Sequence, residues 1–571
     1  MSSNGPTDLF NMESPTMNAG NHMARTRRRW SSTSKDKRPK LTEMTDGVHE
    51  EVETDFISPG QLYSTESGRL FHAGKILIVL VGLPATSKTL LSVAITRYTK
   101  WLGVRTSSFH VSEYRRKMTA CEDHNNFPTD YFSAKPKTSE GRSKRKQILD
   151  KVLDDMLQFF NRDKGQLAVY DALNILVEER VQLDKIFSKM NTKVLFIESV
   201  MTDADMIKHN VDMASRSADY VGWSQEAAVS DFMHRLKVNK QLYEEMTPKE
   251  QLSYVKYINF GERLIVNNNH FGYLINKIVF FLMNLRDKKG CVYFARCGTS
   301  DNDNYIDDEL LNSEGTAYSK TLTDLVVKLV NERRAAQATS YPPSMEHATT
   351  PSAGSPTKTI GSIGGIENII SPGPSSRSMS PSLSPLLTTH ASLKRTESTG
   401  NASVRQPVSG DGGDEDSFVV WTAPRKRTFD TARFFDEKGI SVRQRSQLQQ
   451  LHPGVVADMT GSEIRQSYPE EYKEWLKDPY HYRFPRSESY HDLAVRMEPL
   501  LLEMERMRGD ILVIGHESVL RVLYGYLMAC SCSDIPRLCF SRDQVIEISF
   551  SPFENKVRRV PIVYENSSCL K

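Results

Sequence analysis

Lys88 and Thr89 close the segment Gly82-Leu83-Pro84-Ala85-Thr86-Ser87-Lys88-Thr89. An apolar, mostly β-branched run, Ile76 to Val81, precedes it, and a helical stretch, Leu90 to Leu102, follows. Strand, glycine turn, Lys-Thr and helix make the setting of a phosphate-binding loop. Backbone N–H groups of the turn and of the helix N-terminus would wrap nucleotide phosphates. Lys88 would reach the β/γ-phosphates and the Thr89 hydroxyl would hold Mg²⁺. The pattern G-x-x-x-x-G-K-[ST] is met except that Ser87 stands where the last glycine belongs. If that position needs positive φ, a serine costs about 1–2 kcal/mol. The alternative is a plain strand–turn–helix with a chance Lys-Thr.

The elements that must position these residues follow from the alternation of patterns between Lys75 and about residue 285. Strand candidates at Arg105–Val111, Gln166–Asp171 and Lys193–Val200 are separated by amphipathic helices such as Arg145–Phe160. Strands spaced by helices predict a parallel sheet with crossovers. Asp171 closes the strand QLAVYD, where an acid would help hold a metal at the carboxyl edge of the sheet. An aspartate in that position is also an ordinary turn former. A second α/β unit begins at Gly290–Gly298, resumes at Ser417–Thr422 and runs to about residue 563. Within it, Asp510–Gly515 reads as a strand and Tyr490–Arg506 as a helix.

Composition bounds the rest. The chain has 571 residues, room for several domains, and a net charge of +3 that argues for neither nucleic acid nor membrane as a partner. Seven cysteines without ligand spacing suit reduced thiols, and no apolar run approaches the roughly 20 residues that span a bilayer. A cytoplasmic protein is the expectation. Residues 1–70 are polar and charged, and 335–416 are crowded with Ser, Pro, Thr and Gly. Both are predicted to be disordered, the second as an insertion inside a domain, and 564–571 form a tail. Arg25–Ser32, the Ser/Thr-Pro pairs from Thr350-Pro351 to Ser384-Pro385, and Lys394–Ser398 would suit regulatory protein kinases.

Several motifs together carry a resemblance. GLPATSKT, Val111–Arg116, Tyr170–Asn174 and Phe196–Val200 resemble the kinase half of the bifunctional 6-phosphofructo-2-kinase/fructose-2,6-bisphosphatases, in their fungal branch. Arg296-Cys297-Gly298, Trp421-Thr422 with Lys426-Arg427-Thr428, Tyr468–Tyr472, Tyr482–Tyr490 and Gly515-His516-Glu517 are similar to their phosphatase half. The resemblance implies a P-loop NTPase-like, parallel-sheet kinase domain over 71–288. A histidine-phosphatase (phosphoglycerate mutase-like) α/β domain follows over 289–334 and 417–563. It implies transfer of the ATP γ-phosphate to the 2-hydroxyl of fructose 6-phosphate, with Mg²⁺, in a homodimer. Carried over position by position, Gly82 to Thr89 and Asn174 match nucleotide positions, Lys88 and Asp171 catalytic ones, and Thr89 and Asp171 metal ones. Arg115, Arg116, Arg145 and Arg235 match the arginines that hold the sugar phosphate, a task suited to a planar, permanently charged fork.

Departures accompany the match. Leu173, Ile175 and Val177 replace two threonines and an arginine, Ala214 a lysine and Asn239 a tyrosine. In the second half Cys297 takes the place of the histidine nucleophile, Ala457 that of a glutamic acid and Asp308 that of an arginine. A cysteine-phosphatase loop would need an arginine six residues after the cysteine, and the chain has Asp303 there. The acids at 301, 303, 307 and 308 are expected to raise the thiol pKa. Asp458 is the one acid near the lost glutamate. No bisphosphatase activity is expected. Arg296, Arg427 and His516 remain to bind a phosphate and Tyr482, Arg483 and Arg486 a sugar phosphate, or else to hold the domain together. The rival to a kinase is a retired enzyme that binds nucleotide or sugar phosphate as a regulatory protein.

Overall fold

The computed structural model describes residues 74–120, 130–267, 272–307, 309–340, 417–551 and 555–563. The tail at 1–70, the insertion from 341 to 416, residues 564–571, Asp308 and the expected protein-kinase sites lie outside them.

In the first half, β1 (Lys75–Val81) leads to α1 (Lys88–Trp101), β2 (Thr106–His110) and α2 (Val111–Ala120). α3 (Ser139–Asn161), β3 (Leu167–Asp171), α4 (Val177–Ser188) and β4 (Thr192–Val200) follow. The half ends with α5 (Ala204–Ser215), α6 (Gln225–Lys240), β5 (Tyr254–Ile258), β6 (Arg263–Asn267) and α7 (Tyr273–Asn284). The sheet order is β2-β3-β1-β4-β5-β6. Pairing is parallel from β2 to β5, as the crossovers predict, and only β6 runs antiparallel. β1 is buried along Ile76–Val81 because helices cover both faces of its sheet, which is why its sequence is uniformly apolar rather than alternating.

The second sheet is assembled from distant pieces: β7 (Val292–Arg296), then α8 (Ser313–Ser340), β8 (Val419–Thr422), α9 (Lys426–Thr431) and β9 (Ser441–Gln444). The helix α10 (Tyr490–Arg506), β10 (Ile511–Gly515), α11 (Glu517–Leu527), β11 (Gln544–Ser549) and β12 (Lys556–Pro561) complete it. Its order is β12-β11-β7-β10-β8-β9. β7 and β8 both pair with the central β10 in parallel, so the segment between residues 297 and 418 leaves and rejoins one domain. β11 and β12 are antiparallel, a hairpin the expectation of alternating strands and helices did not contain. The helix α8 passes residue 335, the expected start of the disordered insertion. Arg333-Arg334-Ala335-Ala336-Gln337 are strong helix formers and carry it on. Its residues from Arg333 belong to a separate unit of the chain.

Both sheets belong to one compact unit and share a hydrophobic core. Along the seam Tyr98 stacks on Phe281 at 4.4 Å, and the Trp101 ring meets Tyr526 edge-on at 5.5 Å. Arg97, on α1, donates to Glu505 of α10 at 2.6 Å, and Tyr526 of α11 donates to the same oxygen at 2.8 Å. Tyr98 and Lys277 both reach Glu498.

Candidate functional site

The turn between β1 and α1 is forced by its backbone. Gly82 has φ 146°, and a Cβ there would stand 2.6 Å from the Ser199 carbonyl oxygen. Ser87 has φ 59° in the left-handed region, so the position does demand what a glycine supplies; Ala85, at 64°, demands the same and gave no signal in sequence. Side chains from neighbouring strands and helices brace the loop. Ser199 donates to the Thr86 carbonyl at 2.5 Å, Asn210 to that of Ala85 at 2.8 Å, and Asn174 to that of Leu80 at 2.8 Å. Leu173 contributes only its carbonyl, which accepts from Gly82. Asn174 thus lies at the base of the loop, and Leu83 and Pro84 are half-buried within it.

Lys88 is buried and folds back to donate to the Leu83 carbonyl at 2.5 Å. Burial lowers its pKa to about 8, against the pull of Asp171. Parallel pairing sets Asp171 beside both Leu80 and His110. The Thr89 hydroxyl donates to Asp171 Oδ2 at 2.8 Å, and His110 Nδ1 lies 2.7 Å from the same oxygen. Burial would raise the Asp171 carboxyl; bonding to His110, with Lys88 and Thr89 adding, holds it below the usual range. His110 is a functional candidate the sequence reading missed. Only the strand register, β2 against β3, brings it to the site.

The expected sugar-phosphate arginines are all tied to acids. Arg115 and Arg116 bind Asp219, whose carboxyl they pull down to about 2 against burial. Arg235 pairs with Asp231 at 2.8 Å and lies over the rings of Phe132 and Tyr220. Since Tyr220 follows Asp219, this brings Arg115, Arg116 and Arg235 to one neighbourhood. Arg145 pairs with Glu179 at 2.7 Å. The departures have structural uses. Asn239 is buried and bonds Ala134 N–H and the carbonyls of Phe132 and Arg235. Ile175 and Leu176 form an apolar cluster with Ala134, against which Leu173, Leu242 and Tyr243 pack. Val177 donates its N–H to Glu244.

In the second half Cys297 lies just past β7, fully buried. Around it are Arg427 from α9, His516 at the start of α11, Arg296, and Arg542 from the chain before β11. Burial would push the Cys297 thiol up, but His516, Arg427 and Arg542 outweigh it and bring the pKa down to about 5. The expected rise does not occur, because Asp303 is spent on the arginines: it pairs with Arg427 and faces Arg542 at 3.5 Å. Arg542 was missed in sequence, having no local signal. Ala457 offers no carboxyl, and Asp458 turns away to accept the N–H groups of Tyr305 and Ile306 at 2.5 and 3.1 Å. Arg296 meets Glu517 at 3.4 Å. Tyr482 packs on Phe484, the mostly exposed Arg483 pairs with Asp492, and Arg486 has φ 61°. Neither the Tyr482–Phe484 contact nor the Arg483–Asp492 pair includes a residue of the arginine cluster. Among the described residues no group of three or more His, Cys, Asp or Glu could hold a metal ion.

Residues 63–289 match the family model of 6-phosphofructo-2-kinase, and residues 412–562 match that of the histidine phosphatase superfamily, branch 1. The second match starts after Cys297, although β7 lies inside that sheet. A Saccharomyces cerevisiae protein provisionally named a 6-phosphofructo-2-kinase/fructose-2,6-bisphosphatase is 51% identical over 95% of this chain and 94% of its own. The fructose-2,6-bisphosphatase of the same yeast is 27% identical over 85% of this chain and 88% of its own. The Rattus norvegicus 6-phosphofructo-2-kinase/fructose-2,6-bisphosphatase 4 is 28% identical over 87% of each. A solved mycobacterial glucosyl-3-phosphoglycerate phosphatase aligns at 16% identity and a TM-score of 0.28, over 48% of this chain and 98% of its own, too distant to bear on the site.

Proposed function

The chain belongs to the 6-phosphofructo-2-kinase/fructose-2,6-bisphosphatase family, and from that premise we propose that its first half transfers the ATP γ-phosphate to the 2-hydroxyl of fructose 6-phosphate. The observation that carries this reading is the Thr89–Asp171 hydrogen bond of 2.8 Å beside a buried Lys88 in a braced phosphate loop. Thr89 and Asp171 are hard oxygen donors that fit Mg²⁺, which when bound would neutralise charge on the transferring phosphoryl group. Lys88 would leave the Leu83 carbonyl for the phosphates, whose charge favours its protonated form. Arg115, Arg116 and Arg235, held in place by Asp219 and Asp231, would grip the sugar phosphate, with Arg145 as a further cation. The acids orient these guanidinium groups, and a dianionic phosphate competes with them for the same forks.

In the second half we propose that bisphosphatase chemistry is absent. Cys297 occupies the nucleophile position without the acid that would protonate a leaving oxygen, since Ala457 is there and Asp458 is bound to backbone. A second reading is a regulatory protein that binds nucleotide without transferring phosphate. The apolar cluster around Ile175 and Leu176, where hydroxyls would have met the sugar, favours it. Titration calorimetry with Mg-ATP tests the nucleotide site. Binding by the wild type that weakens by at least about tenfold in Lys88→Ala supports it; an unresponsive wild type overturns it.

We also propose a homodimer, in the cytoplasm. The edge strand β6 ends its sheet with Ile265 and Val266 exposed, a surface that a second copy would pair with and cover. Sedimentation velocity should give a dimer, and Ile265→Lys should give monomer. A wild type that sediments as a monomer would contradict it.

A further inference from the structure

The arginine cluster of the second half has the chemistry of a phosphate site, and its centre is filled from within. Arg427 is buried and donates to Ser300 Oγ at 2.6 Å, to His516 Nε2 at 2.9 Å and to the Asp303 carboxylate. The other Asp303 oxygen faces Arg542 Nη2 at 3.5 Å. Two carboxylate oxygens thus span two guanidinium groups, the arrangement a phosphate would adopt with two of its oxygens. A phosphate has further acceptors, and the cluster has donors to spare. Arg296 Nε and His516 Nδ1 are buried without a hydrogen-bond partner, and Arg542 Nη2 has the ion pair with Asp303 but no hydrogen bond. Asp303, Glu517 on Arg296 and the Cys297 thiol beside His516 balance charge in the cluster and still leave these donors without hydrogen bonds.

We propose that Asp303 is an internal phosphate mimic that closes this site to a dianionic phosphate, free or carried by a monoester. The loop that carries it, residues 301–307, is clasped from outside the cluster. Asp458 takes the N–H groups of Tyr305 and Ile306. Arg425 donates to the Tyr305 and Asp307 carbonyls and lies 4.8 Å above the Tyr305 ring. Asp303 and Asp458 both hold left-handed backbones, φ 56° and 58°. The Asp303 side chain keeps 26% of its surface exposed, so lifting the loop leads from the cluster to solvent. A ligand must displace an anion already in place, and its affinity falls by the fraction of molecules in which the loop is open. The inference does not depend on whether the first half transfers phosphate.

The test is calorimetric titration of the full chain with orthophosphate and, separately, fructose 6-phosphate. Asp303→Asn, which removes the charge and keeps the shape, should bind orthophosphate at least about tenfold more tightly than the wild type. Adding Arg427→Ala should abolish that gain and so place it in this cluster rather than in the first half. An equal gain for the two ligands identifies the bare phosphate as what is read, and a larger one for fructose 6-phosphate identifies the monoester; both support the mimic. Equal affinity of wild type and Asp303→Asn, or a gain that survives Arg427→Ala, overturns it. If Asp303→Asn fails to fold, Asp458→Asn decides, since it loosens the clasp and leaves the cluster intact: a gain supports the proposal and no gain overturns it.

Discussion

Ser87 holds a left-handed backbone with no side-chain hydrogen bond to cap the helix it precedes, so its Cβ is a cost without a local return. Ser87→Gly should therefore stabilise the protein by about 1 kcal/mol, the left-handed penalty less the extra entropy glycine loses on folding. Thermal denaturation would show it as a higher Tm, and an unchanged or lower Tm would contradict it. Cys297 offers a pH test. Its folded pKa of about 5 lies below the usual thiol value, so its contribution to stability is full above about pH 9 and is lost as pH falls through about 5. The stability difference between wild type and Cys297→Ser should shift toward the wild type as pH rises from about 5.5 to about 8.5. A difference that is flat or moves the other way would contradict the thiolate. The demand for positive φ at Ser87 was legible, because a motif fixes that position. The state of Cys297 was not, because chain proximity to acids says nothing of the arginines that neutralise them. Arg427, His516 and Arg542 arrive from three separate segments.

At the scale of elements, strands and helices with strong patterning were readable. The helix Tyr490–Arg506 has the predicted ends, set by the Ser489 capping box, and β3 ends at the predicted Asp171. The edges were not. β6 and the β11–β12 hairpin follow the crossover elements, and nothing in their short sequences states which neighbour they pair with or in which direction. His110 was missed for the same reason: its role depends on the order β2-β3-β1, which no local pattern encodes. The seam between α1, α10 and α11 is also a tertiary fact, joining residues 408 positions apart through Arg97 and Glu505. Both side chains are buried. Arg97→Ala should cost about 3 kcal/mol by leaving the buried Glu505 without its hydrogen-bonded cation, with the Tyr526 hydrogen bond and the charge of Lys288 remaining. Urea denaturation would report this as a lower midpoint, whereas a change within about 0.5 kcal/mol would mean the pair contributes nothing net.

For the whole molecule, one core runs beneath two sheets whose sites have diverged in opposite ways. The first keeps a buried lysine and a hydrogen-bonded threonine and aspartate at the turn after β1, yet has aliphatic side chains clustered where hydroxyls were expected. The second keeps arginines and a histidine, yet has a buried cysteine in place of the nucleophile and a carboxylate among its cations. The central claim is that the first site still works. Its most direct test is incubation of the purified full chain with Mg-ATP and fructose 6-phosphate, scoring fructose 2,6-bisphosphate, with Lys88→Ala in parallel. We predict product from the wild type and at least about a hundredfold less from the variant, as expected on loss of a cation that stabilises the transferring phosphoryl group. No product from the wild type at any substrate concentration, with Mg-ATP shown to bind, would contradict the kinase and leave a nucleotide-binding regulatory protein.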